Sequence, residues 1–194
     1  MARYQAVGSN AEFNVHAMKK DVTFALVLAA IMLPLPCSPQ ASEVAPNDPV
    51  FRSPFALKLH VDDPRYYEQK FDHVPYVASG DVYLFAGEAF GVNVTTAGDR
   101  LTGITYQSDP AKADVEFKFT QEKAPRGFMM LLVTRNKLKK KLFFDAMMTV
   151  PGKTGIFNTS VLPIDPGLSN FESWPHPIVQ LALRNFRFSE THSQ

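Results

Sequence analysis

One cysteine, Cys37, is all that this 194-residue chain carries. That excludes an intramolecular disulfide and any clustered thiolate chemistry. An excess of charge of one sign is also missing. Of 20 Lys+Arg and 19 Asp+Glu, three (Arg3, Lys19, Lys20) and two (Glu12, Asp21) precede Ser42, which leaves 17 of each sign from there on. A neutral chain offers no broad positive field for a nucleic-acid backbone, so nucleic acid is not an expected partner. No apolar run reaches the roughly 20 residues that span a bilayer as a helix. Internal repeats and Gly/Ser linkers are absent. So are the G-x-S-x-G elbow, H-E-x-x-H and the phosphate-binding loop, so no catalytic residue and no cofactor is implied.

The longest apolar run does have a reading. Met18, Lys19 and Lys20 precede an uncharged stretch at Val22–Leu35, broken at its end by Pro34 and Pro36 and followed by small residues at Ser38, Ala41 and Ser42. Positive, apolar, then small is the layout of a secretory leader, and it is preferred to a short buried helix. Residues 1–17 then read as an over-extended start, 18–41 as a signal peptide cleaved after Ala41, and the mature protein as periplasmic or secreted. Cys37 closes the apolar run where a bacterial lipoprotein carries its lipidated cysteine. Lipidation there would make the protein an outer-membrane lipoprotein, the one route by which this sequence implies membrane contact.

What is abundant is turn chemistry and aromatic residues: 15 Pro, 10 Gly, 16 Phe and 6 Tyr. Residues 42–54 (SEVAPNDPVFRSP) read as a proline-rich tether, and 55–194 as one domain. FALKLHV at Phe55–Val61 alternates apolar with polar, as a half-buried strand does. Asp63 and Pro64 fit a helix start, which predicts a two-turn helix to Phe71. DVYLFA, FGVNVT, LTGITYQ and ADVEFKFT follow as strands separated by turn residues. FMMLLVT and LKKKLFFDAMMTV then read as central strands joined by a tight hairpin at Arg135-Asn136-Lys137, and IFNTSVLPI as another strand. Gln180, Arg184 and Arg187 fall at helical spacing, so residues 177–188 read as an amphipathic helix rather than as a strand. Together these predict an all-β sandwich, Ig-like or jelly-roll-like, of about seven to nine strands with one or two short helices.

Four groups of side chains are candidates for function. His60, Asp62 and His73 supply imidazole and carboxylate at a spacing that suits a divalent metal or proton transfer. They define an alternative in which the protein binds metal or is a metal-dependent hydrolase. Lys137, Lys139, Lys140 and Lys141 form the one cationic cluster and define a second alternative, contact with an anionic surface. Phe171, Glu172, Trp174 and His176 would present a stacking surface for a sugar or peptide, unless Trp174 plugs the sandwich. Met129–Met130 and Met147–Met148 offer soft thioethers for copper. Adjacent strand residues point to opposite faces, however, so core packing is the preferred reading of those pairs. Asn93-Val94-Thr95 and Asn158-Thr159-Ser160 match the glycosylation sequon. The reading these features favour is an exported, non-catalytic binding or protein-interaction domain whose partner is a protein, peptide or glycan of the cell envelope.

Overall fold

The computed structural model describes residues 49–189. Cys37, the stretch expected to be a leader (18–41) and the first part of the expected tether lie outside the described residues. Alternation of large apolar with polar side chains turns most of the rest into strands: β1 (Phe55–His60), β2 (Tyr66–Phe71), β3 (Val77–Ala78), β4 (Asp81–Leu84), β5 (Glu88–Ala97), β6 (Arg100–Gln107), β7 (Val115–Ala124), β8 (Gly127–Asn136), β9 (Phe143–Thr149), β10 (Phe157–Thr159), β11 (Ser169–Trp174) and β12 (Gln180–Arg187). The helical content of the described residues is a three-residue 3₁₀ turn at Pro110–Lys112, capped by the Asp109 carboxylate.

Three antiparallel sheets pack as a sandwich. One runs β11-β8-β7-β5-β6, the second β10-β9-β12-β4-β3, and the third is the β1–β2 hairpin. Val115, Phe117 and Phe119 of β7 and Met130 and Leu132 of β8 face Val82 and Leu84 of β4 and Leu181 and Leu183 of β12 in one apolar core. The β1–β2 hairpin extends the second layer. Phe55 meets Phe85 edge-on at 5.1 Å, and the Gln121 side chain pairs with both backbone groups of His60. β12, the last strand in sequence, lies between β4 and β9 rather than at an edge.

The sandwich agrees with the sequence reading; its helices do not. Within residues 63–71, expected as a helix, Tyr66–Phe71 form β2, in full register with β1 from Phe55↔Phe71 to His60↔Tyr66. Asp62, not Asp63, is the structuring carboxylate: it accepts from Arg65 N at 3.0 Å and closes the hairpin turn. Turn chemistry of this kind resembles a helix cap in sequence. Residues 180–187 are strand β12. A bulge between Arg184 and Arg187, with Asn185 at φ 54°, shifts the alternation so that Leu181, Leu183 and then Phe186 turn inward. One inserted residue converts a period of two into an apparent helical period. The expected hairpin at Arg135–Lys137 is also absent. β8 and β9 belong to different sheets, and the buried Asn136 amide donates to Lys140 O at 2.9 Å and Ile164 O at 3.0 Å to hold the crossover. The strand expected over Ile156–Ile164 shortens to β10, with Ile164 bridging back to Leu142.

The tether reading fails from Val50 onward. Val50 O accepts from Tyr76 N at 2.9 Å, and Arg52 N donates to Val74 O at 3.0 Å. Arg52 itself is 5% exposed. Its Nε donates to Glu88 Oε1 at 2.5 Å and its Nη2 to Glu88 Oε2 at 2.8 Å. The remaining donors reach Pro75 O at 2.5 Å and Tyr83 O at 2.6 Å. The guanidinium lies 4.0 Å from the Tyr76 ring centroid and 5.0 Å from that of Phe85. A buried charge is tolerated only when its donors are satisfied in this way.

Two outcomes check this account. Arg52→Met strands a largely buried Glu88 and is expected to cost about 3–5 kcal/mol in urea unfolding, while adding Glu88→Gln recovers part of the loss. Gly91→Ala would drive a methyl into Ala113 Cβ and to 2.7 Å from Val115 O, costing about 3 kcal/mol by overpacking. Gly103→Ala, whose new methyl meets nothing nearer than 3.6 Å, should stay within about 0.5 kcal/mol of the parent.

Candidate functional site

Ahead of its bulge, the residues of β12 that point away from the core are Gln180, Ala182 and Arg184. Ala182 sits in register with Tyr83 of β4 on one side and Met147 of β9 on the other. A methyl between a phenol ring and a thioether leaves a trough down the middle of the sheet's outer face. Asp81, Tyr83, Met147, Thr149, Ile156, Gln180 and Arg184 line it around Ala182, and it holds about 230 Å³. Ile156, at the open side, is 65% exposed. Because β12 is paired on both edges, the floor is a rigid central strand.

One end of the trough is polar by construction. Arg184 Nε donates to Asp81 Oδ2 at 2.7 Å, and its Nη1 lies 3.5 Å from Met147 Sδ, a weak acceptor. The bulge beyond Arg184 is pinned by Asp145, whose carboxylate accepts from Asn185 Nδ2 at 2.8 Å and from Arg187 Nη1 at 3.0 Å. The Asn185 hydrogen bond, helped by Arg187 and opposed by burial, holds the Asp145 carboxyl below its ordinary value. Burial, and then the charge of Asp81, pushes the Tyr83 phenol above its ordinary value; Arg184 pulls the other way. Tyr83 therefore stays a neutral donor at neutral pH.

The residues singled out in the sequence are placed otherwise. His60 stacks on Phe128 at 3.9 Å and tilts onto Tyr66 at 4.3 Å, with Nδ1 buried and unpartnered. Asp62 is tied to Arg65, and His73 stacks on Phe51 at 3.8 Å. These three side chains are committed to different neighbours, and no group of three or more metal-ligating side chains converges among the described residues. Within the lysine cluster, Lys137 pairs with Glu116, Lys140 with Asp99 at 2.7 Å and Lys141 with Asp165 at 3.2 Å. Lys139 is exposed. Three carboxylates thus offset most of that charge.

Trp174 is buried, edge-on to Phe119, and its Nε1 donates to Thr159 Oγ1 at 2.7 Å. It plugs the sandwich rather than offering a stacking face. Glu172 is a clip that accepts from Leu162 N at 2.7 Å and Asn170 Nδ2 at 2.8 Å. His176 is half-buried beside Pro177 O, and Phe171 is 67% exposed. Met130 is core, and Met148 packs against the core; Met147 and Met148 both contribute to the trough lining. Of the sequons, Asn158 is exposed on β10 and Asn93 half-buried on β5.

Sequence reasoning missed Tyr83, Ala182, Gln180 and Arg184. The available signal was the alternation Gln180–Leu181–Ala182–Leu183–Arg184, read as the lesser alternative to a helix. Compared with family models, with curated proteins and with solved structures, the chain matches none.

The lowered Asp145 carboxyl gives a pH test. Its stabilising contribution is full above the ordinary value of 3.8 and is lost as pH falls through the lower folded value. Asp145→Asn should therefore be less stable than the parent at neutral pH. The gap in urea midpoint should narrow as pH falls below 3.8 and through the lower folded value.

Proposed function

We propose that this protein is an exported, non-catalytic binding module whose ligand surface is the trough over Ala182. The observation that carries the reading is the trough itself: a concave strip on the outer face of a sandwich, with an aromatic wall, an apolar floor and polar ends. Small-ligand sites combine these features, with the polar groups setting orientation. The leader-like residues 18–41 support export, and the balanced charge of the remaining chain supports a surface that selects by shape and hydrogen bonding rather than by field.

Two measurements test it. Expression of the full-length gene in a bacterial host, followed by the intact mass of the envelope-fraction protein, should give a chain beginning at Ser42. A chain beginning at Cys37 with added acyl groups would place the same module on a membrane; an uncleaved chain overturns export. In the second, soluble envelope extract should shift the methyl resonances of Met147, Ala182 and Ile156. Ala182→Trp, which fills the trough from the outer face, should abolish the response while leaving the free energy of unfolding in urea within about 1 kcal/mol of the parent.

A further inference from the structure

We infer that the trough takes a neutral mono- or disaccharide; this rests on the binding reading above and specifies its ligand. The charge of the site comes first. Asp81 and Arg184 are the only charged residues among those lining the trough, and they are paired to each other at 2.7 Å. An anionic ligand approaching Arg184 meets Asp81, and a cationic one approaching Asp81 meets Arg184. Neither sign gains a net field, so the site favours a neutral ligand.

The hydrogen-bonding groups narrow the class. Arg184 keeps terminal N–H donors beyond the one directed at Met147 Sδ, and its ion pair engages Asp81 through Oδ2, leaving Oδ1 open. Gln180 adds an amide with both a donor and an acceptor, and Thr149 and Tyr83 add hydroxyls that do either. Among the described residues, none of these three side chains is bound to another side chain. Donors and acceptors are thus both present around one small volume. A ligand hydroxyl is itself both donor and acceptor, so a polyol satisfies such a rim, whereas a purely apolar ligand would leave it desolvated and unpaired.

The middle of the trough is apolar, where the Tyr83 ring, the Ala182 methyl and the Met147 thioether meet. It suits the C–H face of a sugar ring, with the hydroxyls reaching the two polar ends. A peptide fits less well. Extended peptides gain affinity by pairing with an open strand edge, and here the floor strand is hydrogen-bonded to β4 and β9 on both sides. Size agrees as well. From Gln180 to Arg184 the floor runs about 13 Å, and β4 to β9 spans two strand spacings, or about 9.5 Å. The volume of about 230 Å³ falls below the roughly 300–1,000 Å³ of drug-sized sites.

The test is methyl-detected NMR on the folded mature chain, with N-acetylglucosamine, galactose, maltose and cellobiose as neutral probes. Galacturonate, octanoate and trialanine serve as acidic, apolar-anionic and peptide controls. At least one neutral sugar should shift the Met147 and Ala182 methyls. The affinity should be unchanged between low and high salt. It should fall about tenfold in Gln180→Ala and in Arg184→Met, and Ala182→Trp should abolish the shift. Shifts from a control alone, or from envelope extract but from no neutral sugar, overturn the saccharide assignment and leave the binding reading standing. Silence toward every probe and toward the extract overturns both.

Discussion

The Arg52–Glu88 pair is the interaction on which the arrangement of this domain turns. Arg52 arrives from the N-terminal side of the sandwich, Glu88 opens β5 in one sheet, and the carbonyls of Pro75 and Tyr83 belong to the β3–β4 corner of the other. Glu88 Oε2 also accepts from Phe85 N at 2.9 Å. One guanidinium therefore ties an incoming segment and both large sheets together. Burying a charge is unfavourable unless every donor is met and the partner charge is close. That condition is stringent, so it acts as a geometric specification as much as a source of stability. The Tyr76 and Phe85 rings complete the cage with favourable quadrupoles.

The second constraint is the position of β12. A strand that comes last in the sequence yet lies between β4 and β9 joins the sheet through pairings that are distant in sequence. Much of the domain's contact is accordingly long-range in sequence, which slows folding of β proteins. The same placement makes the trough. On an edge strand, Ala182 would have one neighbour and form an open shelf; in the middle it has Tyr83 on one side and Met147 on the other. A site built across paired strands holds its side chains more rigidly than one built on loops. The bulge at Asn185, pinned to Asp145, restores the inward direction for Phe186 without disturbing the register at Ala182.

The alternating segments were legible. Phe55–His60, Val115–Phe119 and Leu142–Ala146 bury the faces that their period of two implies. The failures have a common cause. Asp62–Arg65 and Asn185 are turn and bulge chemistry, and in sequence both imitate helix signals; only pairing with a distant or adjacent strand reveals which they are. Arg52 stood in a proline-rich stretch whose neighbours Val50 and Phe51 carried the one hint that the segment docks. Trp174, His60 and the lysines stood out by residue type, yet Trp174, His60 and all of those lysines but Lys139 are committed to structural neighbours.

The sequence by itself determined the class of the fold, because side-chain alternation and turn residues are local properties and the chain has both in quantity. It also determined the balanced charge and the leader-like layout ahead of Ser42, which are matters of composition and order. Tertiary structure alone decided which strands became neighbours, and with them the site. Tyr83, Met147 and Ala182 are separated by tens of residues, and none is distinctive by type. They form a trough because hydrogen-bonded register places one small side chain between two large ones, and register across three strands is a property of the assembled sheet.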